Sequence, residues 1–166
     1  MPDSLGAWTY RTRSNRPELD GKTGSFAVIP AQAGNHGPVR VKDEYHFLYA
    51  DCTPYRELGT TCYAWTSQPV ALEEQTLKTL AASPFNKLRM CLFPKWFNYN
   101  HGEPPRYPFV GQAPNQWDFT QFNPEYFQHF EKRLGQLAEM GIEADVILFH
   151  PYDAGHWGFD LSLIHI

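Results

Sequence analysis

The chain has 166 residues and a formal net charge of −4, with 14 Lys and Arg against 18 Asp and Glu. This length suits one ordinary domain with a hydrophobic core. The charged residues form no basic patch or run, which argues against nucleic acid and anionic membranes as partners. No run of about 18 apolar residues is present, so no membrane-spanning helix is predicted. Aromatic residues make up 16% of the chain, and the many Trp and Tyr rings suit a site that binds sugars by stacking.

The cysteines indicate neither a disulfide framework nor a metal site. Cys52, Cys62 and Cys91 are odd in number and lack metal-ligand spacing. Cys62 and Cys91 lie inside apolar runs, where Cys behaves as a small buried hydrophobe. Unpaired cysteines favour a cytoplasmic location, although the sequence does not fix the compartment. Met1 precedes Pro and Asp instead of a basic and then apolar leader, so we expect a start codon inside a longer reading frame.

The first 30 residues are predicted to form two antiparallel strands. Residues 7–13 (AWTYRTR) and 24–29 (GSFAVI) alternate in strand fashion on either side of a turn-rich stretch. Two strands are marginal alone, so residues 1–30 are interpreted as the end of a β-sandwich that begins upstream. Residues 31–44 follow as a linker by their Gly, Pro and small-residue content. A hairpin of residues 45–49 and 55–59 is then expected.

Three short apolar runs, separated by helical patterns, predict βαβ units and a parallel sheet. The runs are residues 59–65 (GTTCYAW), 87–96 (KLRMCLFPKW) and 143–153 (EADVILFHPYD). The predicted fold class is α/β, and residues 45–160 are assigned to the first three βα units of an incomplete (β/α)8 TIM barrel. A closed barrel has eight such units. Three strands alone would leave two open edges and an apolar interior face in water, with Val146 and Leu148, or their neighbours, on that face.

Two helices are predicted between the runs. The first ends at Ser83-Pro84, and one of its faces carries Leu72, Thr76, Leu77, Leu80 and Ala81. The second has Asn123 as N-cap, Pro124 at its first position and Gly141 after its last turn. Its apolar stripe consists of Phe127, Phe130, Leu134, Leu137 and Ala138. The connection at 97–122 is too long for a passive loop, so a functional role is expected there. Asp118 within it is interpreted as a loop anchor or pre-cap residue.

Polar and aromatic residues follow each apolar run, where barrel enzymes place their working residues. A cation and flat rings at this position suit a polyhydroxylated substrate. The predicted substrate-binding residues are Tyr63, Trp65, Lys95, Trp96, Tyr152 and Asp153. For Trp96 and the nearby Tyr99, packing under a lid is the alternative.

Arg89 lies within an otherwise apolar strand, and a buried guanidinium without a partner is very costly. A carboxylate is therefore expected beside it, from another strand that reaches the same end of the barrel. The alternative is an Arg at the outer end of the strand that pairs with a helix Glu. Glu73 and Glu74 are expected to be solvated on a helix surface.

His150 ends the third run and can donate to a substrate hydroxyl or position a carboxylate. Together with Asp153 and His156 it could also form a Zn or Mn site, because imidazole and carboxylate suit those ions. Their spacing on a Pro- and Gly-containing loop fits no known template. No metal and no cofactor are therefore predicted.

The strings FNKLRMCLFPKW, WDFTQFNPEYF and GIEADVILFHPYD resemble the apiosidase-like glycoside hydrolases. The string WTYRTRSNRPELDGKTGSF resembles the end of the immunoglobulin-like domain, of the collagen-binding type, that often precedes their barrel. The resemblance implies a bacterial glycosidase that cleaves O-glycosidic bonds of plant or gut polysaccharide. Its partner would be that carbohydrate. In the broader clan of retaining barrel glycosidases, Arg89 matches the Arg that contacts the nucleophile and His150 matches a sugar-subsite residue.

The same resemblance implies that the catalytic acid/base and nucleophile come from later strands, around the fourth and seventh. No catalytic carboxylate can therefore be assigned here, and the chain as given is expected to be inactive. Residues 161–166 (LSLIHI) break the pattern and resemble a translated adaptor, so they are predicted to be a non-native tail; a cut strand or helix is the alternative. Two other functions stay open: a non-catalytic carbohydrate- or matrix-binding protein, and a small nucleotide-binding βαβ domain, which the missing phosphate loop disfavours.

Overall fold

The structure is a computed structural model that describes residues 4–150 and 155–159. The chain divides into two compact units, Met1–Arg56 and Glu57–Ile166. The described residues form the strands β1 Gly6–Arg11, β2 Thr23–Val28, β3 Val39–Lys42, β4 His46–Tyr49, β5 Gly59–Thr61, β6 Lys87–Cys91, β7 Phe109–Gln112, β8 Gln116–Phe122 and β9 Glu143–Ile147, and the helices α1 Val70–Ala81 and α2 Pro124–Glu139. None of the helices in this part of the chain is long and apolar enough to span a membrane.

The first unit contains two separate antiparallel pairs. β1 pairs with β2, which confirms the two predicted strands, and the rings of Trp8 and Phe26 stack across them at 6.5 Å. β3 pairs with β4 around a turn in which Asp43 adopts a φ of 54°, a conformation that Asp tolerates better than most residues. Among the described residues of this unit, no hydrophobic side chain is fully buried.

The expected hairpin of residues 45–49 and 55–59 is formed only in part. The Tyr49 amide donates to the Thr53 carbonyl at 2.9 Å, the Tyr55 amide donates to the Phe47 carbonyl at 3.2 Å, and Leu48 forms an isolated antiparallel bridge with Pro54. The regular partner of β4 is β3, which sequence reasoning missed, because VRVK supplies an alternating strand directly before a tight turn.

The second unit is built on a three-stranded parallel sheet in the order β5-β6-β9. All three predicted strands are confirmed, although each ends several residues before the apolar run does. Thr61, Arg89 and Asp145 share one register position across the sheet. Parallel strands that neighbour one another in chain order, with intervening helices, fit the opening part of a TIM barrel.

The hydrophobic core lies between one face of this sheet and the two helices. Leu88 and Met90 point to that side and are fully buried. Val146 also packs against the core, so of the two predicted choices it is the strand neighbours of Val146, such as Asp145, that lie on the opposite face. Because side chains alternate along a strand, the opposite face carries Lys87 and Arg89. The first half of the interior face is therefore charged instead of apolar, while Leu148, beyond the end of β9, is 55% exposed as expected.

α1 is confirmed, but its buried face differs from the predicted one. Leu72 is half exposed, and the helix buries Glu73, Leu77 and Leu80. The expectation that Glu73 is solvated is wrong, since its side chain has no solvent exposure. The reason lies on α2, where Arg133 offers a guanidinium 60 residues away along the chain.

This buried ionic network joins the two helices. Arg133 Nη2 lies 2.6 Å from Glu73 Oε2, and Arg133 Nε donates to the same oxygen at 2.9 Å. His129 Nε2 lies 3.0 Å from that carboxylate, and Arg133 Nη1 donates to Glu74 Oε1 at 2.6 Å and to Gln136 Oε1 at 2.8 Å. Both oxygens of the Glu73 carboxylate are thus within hydrogen-bond distance of side chains of α2.

α2 has the predicted boundaries. The side chain of Asn123 accepts a hydrogen bond from the Glu125 amide at 3.1 Å, and Gly141 adopts a φ of 72° after the last turn. Its buried stripe is rotated by about one position from the prediction. The stripe consists of Tyr126, Phe130, Arg133 and Leu137, whereas Ala138 is exposed.

The long connection between β6 and α2 is partly regular. It holds the antiparallel hairpin of β7 and β8, which sequence periodicity missed because β7 is short and the register shifts between Phe109 and Val110. Asp118, predicted to be a loop anchor or pre-cap residue, lies within β8. Its carboxylate accepts hydrogen bonds from the Thr120 hydroxyl at 2.6 Å, from the Thr120 amide at 2.9 Å and from Gln121 Nε2 at 2.6 Å, and these hydrogen bonds lower its pKa.

Candidate functional site

The residues after β5 and β6 meet at the carboxyl ends of the parallel strands. Lys95 is buried, and its Nζ lies 3.9 Å from the ring centroid of Tyr63 and 4.5 Å from that of Phe97. A cation held over two aromatic faces is a stabilised, preorganised donor. The structure therefore brings together the predicted pair Tyr63 and Lys95.

Trp65 does not line this end of the sheet. It is only 4% exposed, and its indole N–H points to the sulfur of Met90 at 3.4 Å within the hydrophobic core. A Trp buried in this way packs in the hydrophobic core and has almost no surface that a ligand could contact.

Trp96 is partly exposed and lies among other rings. Its indole stacks on the imidazole of His156 with centroids 3.7 Å apart and on that of His101 at 5.0 Å. Trp157 meets it edge-on at 5.8 Å. The group connects the segment after β6 with the segment after β9, which are the two loops that a ligand at this end of the sheet would meet.

Glu103 lies at the centre of the hydrogen bonds around these rings. Its Oε2 accepts from Tyr107 Oη at 2.5 Å and from Trp157 Nε1 at 2.9 Å, and its Oε1 accepts from His156 Nε2 at 2.5 Å. Trp157 itself is fully buried, and its carbonyl accepts the indole N–H of Trp117 at 2.9 Å. Sequence reasoning missed Glu103, because two of its partners lie 53 and 54 residues away; the only signal was the unusual length of its loop.

The electrostatics of this cluster favour an ionised Glu103. Burial raises the pKa of its carboxyl, but the hydrogen bonds from Tyr107, His156 and Trp157 outweigh burial and hold the pKa below its usual value. Burial and the hydrogen bond to Glu103 raise the pKa of Tyr107, so the phenol stays a donor. The arrangement is a carboxylate that organises three donors.

His150 is buried at the end of the third run. Its Nε2–H donates to the carbonyl of Phe93 at 3.2 Å, which fixes the ring against the backbone after β6. Tyr152 and Asp153, also predicted to bind substrate, lie outside the described residues. In residues 4–150 and 155–159 no group of three His, Cys, Asp or Glu side chains could hold a metal ion.

Arg89 lies on the interior face of the sheet. Its Nε donates to Asp145 Oδ2 on β9 at 2.8 Å, and the hydrogen bond and the charge of Asp145 raise the pKa of the guanidinium. The expected carboxylate from a neighbouring strand is therefore present, and the alternative partner on a helix is not the one used. The expected burial is wrong, since 55% of the Arg89 side chain is exposed.

Arg89 and Asp145 line an open groove of about 350 Å³ together with Lys87 and Glu57, which form a second ion pair at 3.3 Å. Among the described residues, the two terminal nitrogens of Arg89 make no hydrogen bond, so Asp145 holds the guanidinium by its inner nitrogen alone. A guanidinium held in this way presents its outer edge to a further anionic or polar group.

Comparison with solved structures gives a strong match to a glycoside hydrolase. A provisionally assigned glycoside hydrolase from Bacteroides vulgatus ATCC 8482 superposes on the chain with a TM-score of 0.88 and 48% sequence identity. The match covers 96% of this chain and 33% of that protein, so the chain spans one third of its neighbour's length. No family model matches the chain, and no curated protein does.

Two weaker matches have similar descriptions. A protein described as a glycoside hydrolase has a TM-score of 0.47 and 16% identity over 69% of this chain and 26% of its own length. A family 5 glycoside hydrolase from Bacteroides vulgatus ATCC 8482 has a TM-score of 0.45 and 15% identity over 68% of this chain and 24% of its own length. Similarity this low carries no argument about activity.

Proposed function

We propose that the chain is one part of a longer glycoside hydrolase that cleaves O-glycosidic bonds. The observation that carries this proposal is the match to a glycoside hydrolase at 48% identity over 96% of the chain. Two carboxyl groups on either side of the scissile bond perform such reactions. In the proposed protein both come from strands beyond β9, so the chain alone is inactive.

The finer assignment is to the apiosidase-like enzymes, with a TIM barrel preceded by an immunoglobulin-like domain. The three strings that resemble this family support it, as does the parallel order β5-β6-β9. The antiparallel pair of β1 and β2, whose Tyr10 and Phe26 are largely exposed, supports the end of a sandwich whose other strands cover these rings. Plant or gut polysaccharide is the proposed substrate class.

The proposed roles of the site residues follow from their positions. Arg89 presents its outer nitrogens to the nucleophilic carboxylate, and His150 fixes the segment that leads to the sugar subsite. Lys95, held over Tyr63, and the partly exposed Trp96 are proposed to contact the sugar. The proposal includes Tyr152 and Asp153, outside the described residues, and leaves out Trp65 because it is buried in the core.

The test is turnover by the longer protein, expressed with the residues that follow in its gene. We expect it to hydrolyse at least one member of a panel of aryl glycosides and plant oligosaccharides. Binding of an oligosaccharide without turnover would favour a carbohydrate-binding protein instead. Absence of both turnover and binding across the panel would contradict the proposal.

A further inference from the structure

Glu103 links two loops that the sheet alone does not hold together. It lies in the connection between β6 and β7, while His156 and Trp157 follow β9. The hydrogen bonds from His156 at 2.5 Å and from Trp157 at 2.9 Å are charge-assisted, since the carboxylate is the acceptor. Such hydrogen bonds are stronger than neutral ones and fix the direction of the donor ring.

The ring that Glu103 fixes is the one that stacks on Trp96. The planes of His156 and Trp96 differ by 18°, with centroids 3.7 Å apart, which is close parallel packing. An imidazole that donates to Glu103 through Nε2 cannot turn about its own axis without losing that hydrogen bond. The position of the indole, which is partly exposed at the strand ends, therefore depends on a carboxylate further along the same connection, which acts through an imidazole of the loop after β9.

We propose that Glu103 is a positioning residue that holds His156 against Trp96 and so preforms an aromatic platform for one face of a sugar ring. This rests on the proposed function, because the platform is assigned to a carbohydrate ligand. Glu103 does not touch the sugar in this arrangement. Its contribution is orientation, which lowers the entropy lost by the rings when the ligand binds.

The test uses the longer protein and the best glycoside from the panel. Glu103→Gln keeps the size of the side chain but removes the charge that three donors share. We expect KM to rise about fivefold to tenfold with kcat changed less than about twofold, the size expected for one aromatic contact. Glu125→Gln is the matched control, because Glu125 forms a single ion pair with Arg106 on the surface and contacts no ring of the platform.

A double variant separates positioning from a general loss of structure. His156→Ala removes the ring that Glu103 holds, so it should raise KM as well. In the double variant Glu103→Gln/His156→Ala, the rise in KM should be much smaller than the product of the two single rises, because Glu103 acts through His156. A rise in KM equal to the product of the two single rises would overturn the positioning role of Glu103.

The remaining outcomes are distinguishable. If wild type shows normal turnover and Glu103→Gln has the same KM as Glu125→Gln, the inference is wrong and the proposed function stands. If wild type shows neither turnover nor sugar binding, the proposed function fails, and the sugar platform fails with it. If Glu103→Gln does not fold, the KM of His156→Ala decides: an unchanged KM overturns the inference, and a raised KM supports it.

Discussion

Arg89 shows how one register position on a sheet can orient a cation. Thr61, Arg89 and Asp145 lie side by side on β5, β6 and β9, and the Asp145 carboxylate holds the guanidinium through its inner nitrogen. An Arg held by Nε keeps its outer pair of nitrogens for a second acceptor. A Lys at this position has a single ammonium group, so it could not bind Asp145 with one nitrogen and a second acceptor with two others.

Replacing Arg89 with Met in the longer protein should lower kcat/KM by about 100-fold or more, the range measured for loss of one electrostatic group in an active site. The melting temperature should change little, since the Arg89 side chain is 55% exposed. Lys87→Met is the control, because Lys87 lies on the same face and pairs with Glu57. Equal turnover of the two variants would contradict the role proposed for Arg89.

Asp51 gives a pH prediction in the first unit. The pKa of Asp51 is lowered from 3.8 to about 2, mainly by the hydrogen bond from His36 and next by the hydrogen bond from the Thr53 amide. Because the folded pKa lies below the unfolded one, the stabilising contribution is complete above pH 3.8 and is lost as the pH falls through about 2.

His36→Ala should therefore raise the Asp51 pKa towards 3.8, as followed by the carboxyl carbon signal in an NMR titration. Thr53→Val should raise it less, because the backbone amide of residue 53 still donates to Asp51 at 2.9 Å. The opposite order of the two variants would show that the imidazole is not the main cause.

At the scale of whole elements, the contact between α1 and α2 depends on a buried ion pair. Glu73 has no exposed side-chain surface and Arg133 has 2%. Removal of one member of such a pair leaves an uncompensated buried charge, whereas replacing both by apolar side chains is often neutral or stabilising.

Arg133→Met should reduce the free energy of unfolding by about 3–5 kcal/mol, measured by urea denaturation of the longer protein. The double variant Glu73→Leu/Arg133→Met should recover most of that loss. Lys132→Met serves as the control, since Lys132 is exposed on the same helix. A double variant less stable than Arg133→Met would mean that the pair stabilises more than an apolar contact can.

The sequence predicted the elements better than their contacts. β5, β6, β9 and α2 were predictable because apolar runs, an Asn cap and a terminal Gly are local signals. The burial of Glu73 was not, since a charged residue becomes a core residue only when a partner 60 positions away faces it.

The same limit applies to the candidate site. Lys95 and Tyr63 could be placed together, because the ends of neighbouring parallel strands meet. Glu103 could not, since its role comes from the folded path of two loops and not from a motif. The pairing of β3 with β4 was missed for a simpler reason: the Gly and Pro residues around 30–38 led residues 31–44 to be assigned to a linker, and the alternating VRVK was not taken as a strand.

At the scale of the molecule, the second unit has a parallel sheet whose two outer strands each have one partner. Among the described residues, β5 pairs only with β6, and so does β9. Open edges of this kind favour association between molecules. In the proposed longer protein, the later barrel strands cover them.

Residues 1–160 expressed alone should therefore show no hydrolysis of aryl glycosides and a broad, weakly cooperative thermal transition. Their apparent mass in sedimentation should rise with concentration, because uncovered strand edges pair between copies. The longer protein is the control and should unfold more sharply. A sharp transition from a monomeric 1–160, or any turnover, would contradict the assignment of the chain as a part.

The charges on the interior face of the sheet bear on how such a protein is made. A barrel emerges from the ribosome one βα unit at a time, and early units wait for later ones while hydrophobic surface stays exposed to other chains. Here the sheet face that the later strands would cover carries the charged residues Lys87, Arg89 and Asp145, which water solvates well. A nascent chain that has reached β9 thus offers chaperones and neighbouring chains mainly its strand edges, because the charged side chains keep this face of the sheet hydrated during translation.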